Sequence, residues 1–125
     1  MQIHESAEDY LEKILMLKEQ KGVVRSIDIA NALGYSKPSI SIAMKKLRES
    51  GYIEMSDVGL ITLTKAGAEV AHRIYQRHQL LTDILTAIGV NEEEAKEEAC
   101  KIEHDISEET YRKLRSYYES KMKEQ

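Results

Sequence analysis

Ser36-Lys37-Pro38-Ser39-Ile40-Ser41-Ile42-Ala43-Met44-Lys45-Lys46-Leu47-Arg48-Glu49-Ser50, followed at once by GYIEM (51–55), SDVG (56–59) and LITLT (60–64), decides the fold of this chain. Ser36 is suited to cap a helix, and Lys37-Pro38 fits a first turn, where a missing N–H costs nothing. The helix then runs from Ser39 to about Ser50. Ile40, Met44 and Leu47 recur at helical spacing and should face a core. Just upstream, Ser26 caps a short helix, Ile27 to Leu33, which Gly34 stops. Two short helices joined by the tight turn Gly34-Tyr35 make a helix-turn-helix candidate. Downstream, two runs rich in Ile, Tyr, Leu and Thr flank a turn containing Asp and Gly, which reads as a hairpin. A hairpin directly after a helix-turn-helix is a wing.

The outward positions of the third helix are Ser39, Ser41, Ile42, Lys45, Lys46 and Arg48. In a recognition helix the N-terminal residues reach base edges, an exposed aliphatic side chain such as Ile42 suits a thymine methyl, and cations reach phosphates. Any solvated helix carries lysines, so the order helix, helix-turn-helix, hairpin is the more specific signal. Charge agrees with it. The chain has a net charge of −4, yet residues 25–50 carry five basic and two acidic groups, the one basic block in an otherwise acidic sequence. Arg25, Ser36, Lys37, Pro38, Ser39, Ser41, Ile42, Lys45 and Lys46 are therefore the expected DNA-contacting residues.

Working outward, Ser6 is a plausible cap for a first helix reaching about Gln20, with Tyr10, Leu11, Ile14, Leu15 and Leu17 as its apolar face and Lys21-Gly22 as its end. Asp9 and Glu12 lie beside that face at i, i+3. Acidic residues in a first turn also favour the helix dipole, so a structural reading stands next to a ligand reading. On the C-terminal side, Thr64 caps a long helix from Lys65 to about Ile88, with Ala66, Val70, Ile74, Leu81, Ile84, Leu85 and Ile88 as its stripe and His78 partway along. Asn91 with Glu94 matches a cap for a helix of roughly 92–105. That helix contains Cys100-Lys101-Ile102-Glu103-His104. Positions i, i+3 and i+4 share a helix face, so Cys100, Glu103 and His104 place a thiol, a carboxylate and an imidazole side by side. Ser107 caps a last helix with Tyr111, Leu114 and Tyr118 in a row.

The expected architecture is mainly α: a winged helix-turn-helix domain over residues 1–64, then an all-helical dimerisation domain over 65–125, with helix 65–88 linking the two. The later helices bury little by themselves, so a homodimer is expected, and its two-fold symmetry suits a palindromic site on double-stranded DNA. Charged residues at 32% and hydrophobic residues at 42% fit a soluble helical protein. No apolar run approaches the roughly 20 residues of a membrane span, and the first residues lack a signal peptide's features, so no membrane association and a cytoplasmic location are expected. One cysteine cannot form an internal disulfide, which leaves Cys100 free for chemistry.

The segments SAEDYLEKILML, SKPSISIAMKKLRESGYI, ITLTKAG, YQRHQLLTDIL and CKIEHDISEET together resemble the diphtheria-toxin-repressor family of metal-dependent transcriptional regulators, over essentially the whole chain. The resemblance implies six metal ligands. Asp9 and Glu12 fall where the manganese-sensing branch has an aspartate and a glutamate; the iron-sensing branch has a methionine at the first. His78, Glu103 and His104 match ligands of both branches. Cys100 falls where the iron branch has cysteine and the manganese branch glutamate. An ancillary site of the iron branch expects an acidic residue at Thr82 and a histidine at Lys96; neither is present. The SH3-like domain usual in the iron branch is not expected here, as in the manganese branch.

The implied ligand set is thus mixed. Carboxylates suit manganese, imidazole suits iron, and thiolate favours softer, later metals, so the balance tips slightly to Fe2+ over Mn2+, with one or two ions per subunit. The implied function is a repressor of metal-uptake genes in which the ion ties the first helix to the second half of the chain. Two other readings exist: a winged-helix regulator with structural zinc, disfavoured because such sites prefer closed sets of Cys and His, and a metallohydrolase, for which the sequence offers no phosphate loop or nucleophile motif.

Overall fold

Leu11, Ile14, Leu15 and Leu17 put every buried aliphatic residue of the first helix on one side, and that stripe is where the fold begins. In the computed structural model, which describes residues 5–124, this helix is α1 (Glu5–Lys21). It starts at the first described residue, so Ser6 lies inside it and does not cap it. α2 (Ser26–Leu33) and α3 (Lys37–Glu49) follow, then strands β1 (Ile53–Met55) and β2 (Ile61–Leu63), and then the helices α4 (Lys65–Ala87), α5 (Glu92–Ile102) and α6 (Glu108–Lys123). The architecture is mainly α, a winged helix-turn-helix followed by helices, as the sequence implies. Two compact units result, one ending at Arg73 and one beginning at Ile74. No helix among the described residues is long and apolar enough to cross a membrane.

In the first unit α1 packs on α2 and β2, and α3 packs on α2 and β1. Ile29, Ile40, Met44, Leu47, Ile53 and Ile61 complete the core. Truncating a fully buried leucine such as Leu11 to alanine costs about 2–5 kcal/mol in cores of this kind. The α2 cap is Arg25, not Ser26. Arg25 holds an extended backbone (φ −124, ψ 165), and the Asp28 carboxylate reaches back to its N–H at 2.9 Å. That bond, with the Lys21 ammonium, holds the Asp28 carboxyl below its usual range. Gly34 ends α2 in the left-handed region (φ 73), where a β-carbon is disfavoured. Ser36 caps α3 by accepting from the Ser39 N–H at 3.3 Å.

The wing is an antiparallel pair with Ile53 opposite Leu63 and Met55 opposite Ile61. Ile53 and Ile61 point inward, while Glu54 and Thr62 on the other face are exposed, the alternation that fixes register. Val24 extends the pair, its carbonyl accepting from the Ile61 N–H at 2.7 Å. Thr64 both caps α4, through the Gly67 N–H at 3.1 Å, and donates its hydroxyl to the Gly51 carbonyl at 2.7 Å. Gly67 is required by proximity: a β-carbon there would overlap the Tyr52 carbonyl oxygen. Glu8 on α1, mostly buried, pairs with Arg73 at 2.9 Å.

In the second unit Ile74, Leu80, Leu81, Ala95, Ala99 and Tyr111 are buried. The face expected for α4 is shifted. Ala66 and Ile88 are exposed, and Val70, Ile84 and Leu85 only half-buried; of the expected stripe Ile74 and Leu81 are buried, together with Ala71 and Arg77. A charged residue on that face broke the apolar pattern. α5 ends at Ile102 and not near residue 105, because the chain turns at Glu103.

Gly67→Ala should destabilise the chain by about 1–3 kcal/mol, since backbone must move to admit the methyl. Denaturant unfolding with an unchanged m-value is the measurement, and wild-type stability would contradict the close approach.

Candidate metal centre and nucleic-acid interface

The second unit gathers three ligand types from two helices. α4 supplies His78, and α5 with the turn after it supplies Cys100 and Glu103. One donor atom from each lies within 4.8 Å of the others. His78 Nδ1 is 3.0 Å from Glu103 Oε2 and 3.7 Å from Cys100 Sγ. Glu103 and His104 stand just past the end of α5, yet the helical trend persists long enough for Glu103 to stay on the side of Cys100: its N–H still donates to the Ala99 carbonyl at 2.9 Å. His104 Nε2 is 3.4 Å from Glu103 Oε1.

Burial differs sharply within the group. Glu103 is 0% exposed, while Cys100 faces solvent. Taking a carboxylate out of water is costly unless charge and hydrogen bonds answer it. His78 answers Oε2, but among the described residues Oε1 accepts no hydrogen bond, His104 standing off at 3.4 Å. A nitrogen, a sulfur and an incompletely satisfied buried carboxylate together fit a divalent cation of the later first row. Hydrogen bonds to Cys100 and Glu103 raise the His78 pKa to about 10, with burial opposing them.

Asp9 and Glu12 belong to the first unit. They lie one turn apart on α1, with Asp9 half-buried and Glu12 buried. The side chains expected as ligands therefore form a cluster of His78, Cys100 and Glu103, with His104 beside it, in one unit, and an Asp9/Glu12 pair in the other.

Sequence reasoning missed Arg77. It is 5% exposed, and its guanidinium is bonded to the turn that carries Glu103. The sign in the sequence was its register: Arg77 falls three residues after Ile74 and four before Leu81, on the stripe those two define.

The first unit presents a different surface. Ser36, Lys37, Pro38, Ser39, Ser41, Ile42, Lys45 and Lys46 are all exposed, Ile42 at 59%. Ser36 Oγ donates to Ser39 Oγ at 2.9 Å, which gathers the hydroxyls at the N-terminal end of α3. Among the described residues, no ion pair neutralises Lys37, Lys45 or Lys46. Arg25 is exposed as well, and its Nε donates to the Val58 carbonyl in the wing turn at 3.5 Å.

A winged helix-turn-helix followed by a helical unit that assembles metal-ligating side chains defines a class, the DNA-binding regulators that answer to a metal ion. Residues 2–59 match the iron-dependent repressor N-terminal DNA-binding domain, and residues 64–123 match the iron-dependent repressor metal-binding and dimerisation domain. The chain belongs to the iron-dependent repressor family of metal-dependent transcriptional regulators. An uncharacterised HTH-type transcriptional regulator of Methanocaldococcus jannaschii is 35% identical over 117 residues, spanning 92% of this chain and 94% of that protein. The HTH-type transcriptional regulator MntR of Bacillus subtilis is 38% identical over 102 residues, 82% of this chain and 72% of its own length. Among solved structures, T. acidophilum IdeR superposes with a TM-score of 0.81 at 28% identity, over 94% of this chain and 55% of that one. A manganese-dependent transcriptional repressor in complex with manganese gives 0.81 at 29% identity, over 89% and 51%. The chain spans about half the length of these solved structures.

The His78 pKa sets an expectation for pH. Because the folded value, about 10, lies above the unfolded one near 6.5, His78 stabilises the metal-free fold fully below pH 6.5 and loses that contribution as pH rises through 10. A ligand must shed its proton, so ion binding at pH 7–8 should release at least one proton and tighten as pH rises. Calorimetry in buffers of different ionisation enthalpy measures this, and a binding enthalpy independent of buffer would contradict it.

Proposed function

We propose that this chain is a repressor whose DNA binding is switched on by ferrous or manganous ion, controlling metal-uptake genes. The observation that supports it best is the convergence of His78, Cys100 and Glu103 in a unit that follows a winged helix with an unneutralised basic recognition surface.

The proposed ligands are His78, Cys100, Glu103 and His104 in the second unit, with Asp9 and Glu12 of α1 joining them as the family resemblance implies. When bound, at one or two positions per subunit, a divalent ion would supply the positive charge that answers the buried carboxylate and the thiolate. α4 positions His78, the turn after α5 positions Glu103 and His104, and the carboxylates of Asp9 and Glu12 commit α1 to the DNA-ready arrangement. That arrangement need only be favoured by differential affinity; a tenfold shift in population takes about 1.4 kcal/mol.

The Cys100 sulfur favours iron over manganese, since a soft donor discriminates against the hardest ion of the series. The matching family models are named for iron and a similar solved structure is a manganese-dependent repressor, so it is the Cys100 sulfur that makes ferrous ion the reading we favour. The dimerisation domain of the family supports a homodimer, and two recognition helices related by a two-fold axis call for a palindromic operator in cytoplasmic DNA.

DNA binding of the purified chain, measured by anisotropy under anaerobic conditions, should be weak after chelation and restored by either ion, with ferrous ion effective at lower concentration. Equal affinity in all conditions refutes metal control. Glu103→Gln should abolish the response while helix content is kept. Lys45→Ala and Lys46→Ala should weaken binding to all sequences alike, each lowering the magnitude of the salt slope by about 1.

A further inference from the structure

Arg77 buries a guanidinium, which is costly unless its donors are answered. Nη1 donates to the main-chain carbonyls of Glu103 at 3.2 Å and Ile106 at 2.6 Å, and Nη2 donates to Glu108 Oε2 at 3.1 Å. The guanidinium carbon also lies 5.6 Å from the centroid of the Tyr111 ring, within the range of a cation–π contact. Two consecutive residues of α4 therefore hold Glu103 at both ends: Arg77 takes its carbonyl and His78 its carboxylate. The last carbonyls of a helix lack partners within it, and the turn from Glu103 to Ser107 has little regular structure of its own. Arg77 supplies the missing donors and reaches across the turn to Glu108, the first residue of α6.

We propose that Arg77 is the positioning residue of the metal centre, fixing the turn that presents Glu103 and His104 and joining it to the start of α6. The proposal rests on the metal-binding reading given above. Lysine at this position keeps the charge but replaces a rigid planar fork with one ammonium group, which cannot serve two carbonyls and a carboxylate in the same geometry. The turn would then sample other positions, and Glu103 would no longer be held ready. Loss of such an outer partner typically lowers metal affinity by about 10- to 100-fold.

The test is anaerobic Co2+ binding to the full chain, followed by its ligand-field and thiolate-to-cobalt absorption, with chelator competition to give affinity. Helix content and thermal unfolding of the metal-free proteins are measured alongside. Arg77→Lys should bind about 10- to 100-fold more weakly with an altered cobalt spectrum while keeping its metal-free helix content. Glu108→Gln removes only the half-exposed leg of the clamp and should weaken binding roughly two- to fivefold. Wild-type affinity and spectrum in folded Arg77→Lys overturn the proposal; if Arg77→Lys does not fold, the same result in Glu108→Gln overturns it. A wild-type chain that binds no cobalt overturns the metal-binding reading itself, before any variant is compared.

Discussion

Glu103 is a carboxylate with no access to solvent, and the second unit is arranged around answering that charge. His78 meets one oxygen, His104 approaches the other, and Arg77 holds the backbone to which the carboxylate is attached. None of these contacts adds much apolar burial. Their effect is to keep a ligand in place that water would otherwise draw outward. A buried anion incompletely satisfied by protein donors favours whatever state brings more positive charge, which is the thermodynamic basis of a sensor.

The first unit follows a different logic. Its interior is aliphatic and closed, with Leu11, Ile14, Ile29, Ile40 and Met44 essentially inaccessible. Its exterior keeps Lys37, Lys45 and Lys46 along α3 without an ion pair among the described residues, a surface whose charge a polyanion can use. One unit thus carries an incompletely satisfied negative charge inside, and the other, along α3, positive charge outside that no described acidic side chain neutralises. The two halves of the function need those opposite arrangements.

Much of this was legible in the chain. The caps at Ser36, Thr64, Asn91 and Ser107 and the stop at Gly34 follow from local chemistry, because a hydroxyl or amide at a helix start, or a glycine at its end, satisfies orphan backbone groups nearby. Ile40, Met44 and Leu47 revealed the core face of α3 through periodicity alone. The misread features depend on distant partners. Arg25 caps α2 because the Asp28 side chain turns back to it, and Arg77 lies on the buried face of α4 because carbonyls at the end of another helix receive it. Gly67 looked unremarkable until the Tyr52 carbonyl proved to occupy the space a β-carbon needs. For the centre, the local trio in CKIEH was readable from helix geometry, whereas His78 came only through the family resemblance, because which turn of α4 meets α5 is not written locally.

The hairpin is short, with three residues per strand, yet its root is fastened. Thr64 bonds to both Gly51 and Tyr52, Gly67 packs against the same backbone, and Val24 bonds along the edge of β2. Kinematically, the wing is a cantilever clamped at its base, and its end, Ser56 to Gly59, is tied to the rest of the unit more lightly, by the long 3.5 Å bond from Arg25 to the Val58 carbonyl. A groove of varying width would be accommodated by bending there, with the recognition helix undisturbed.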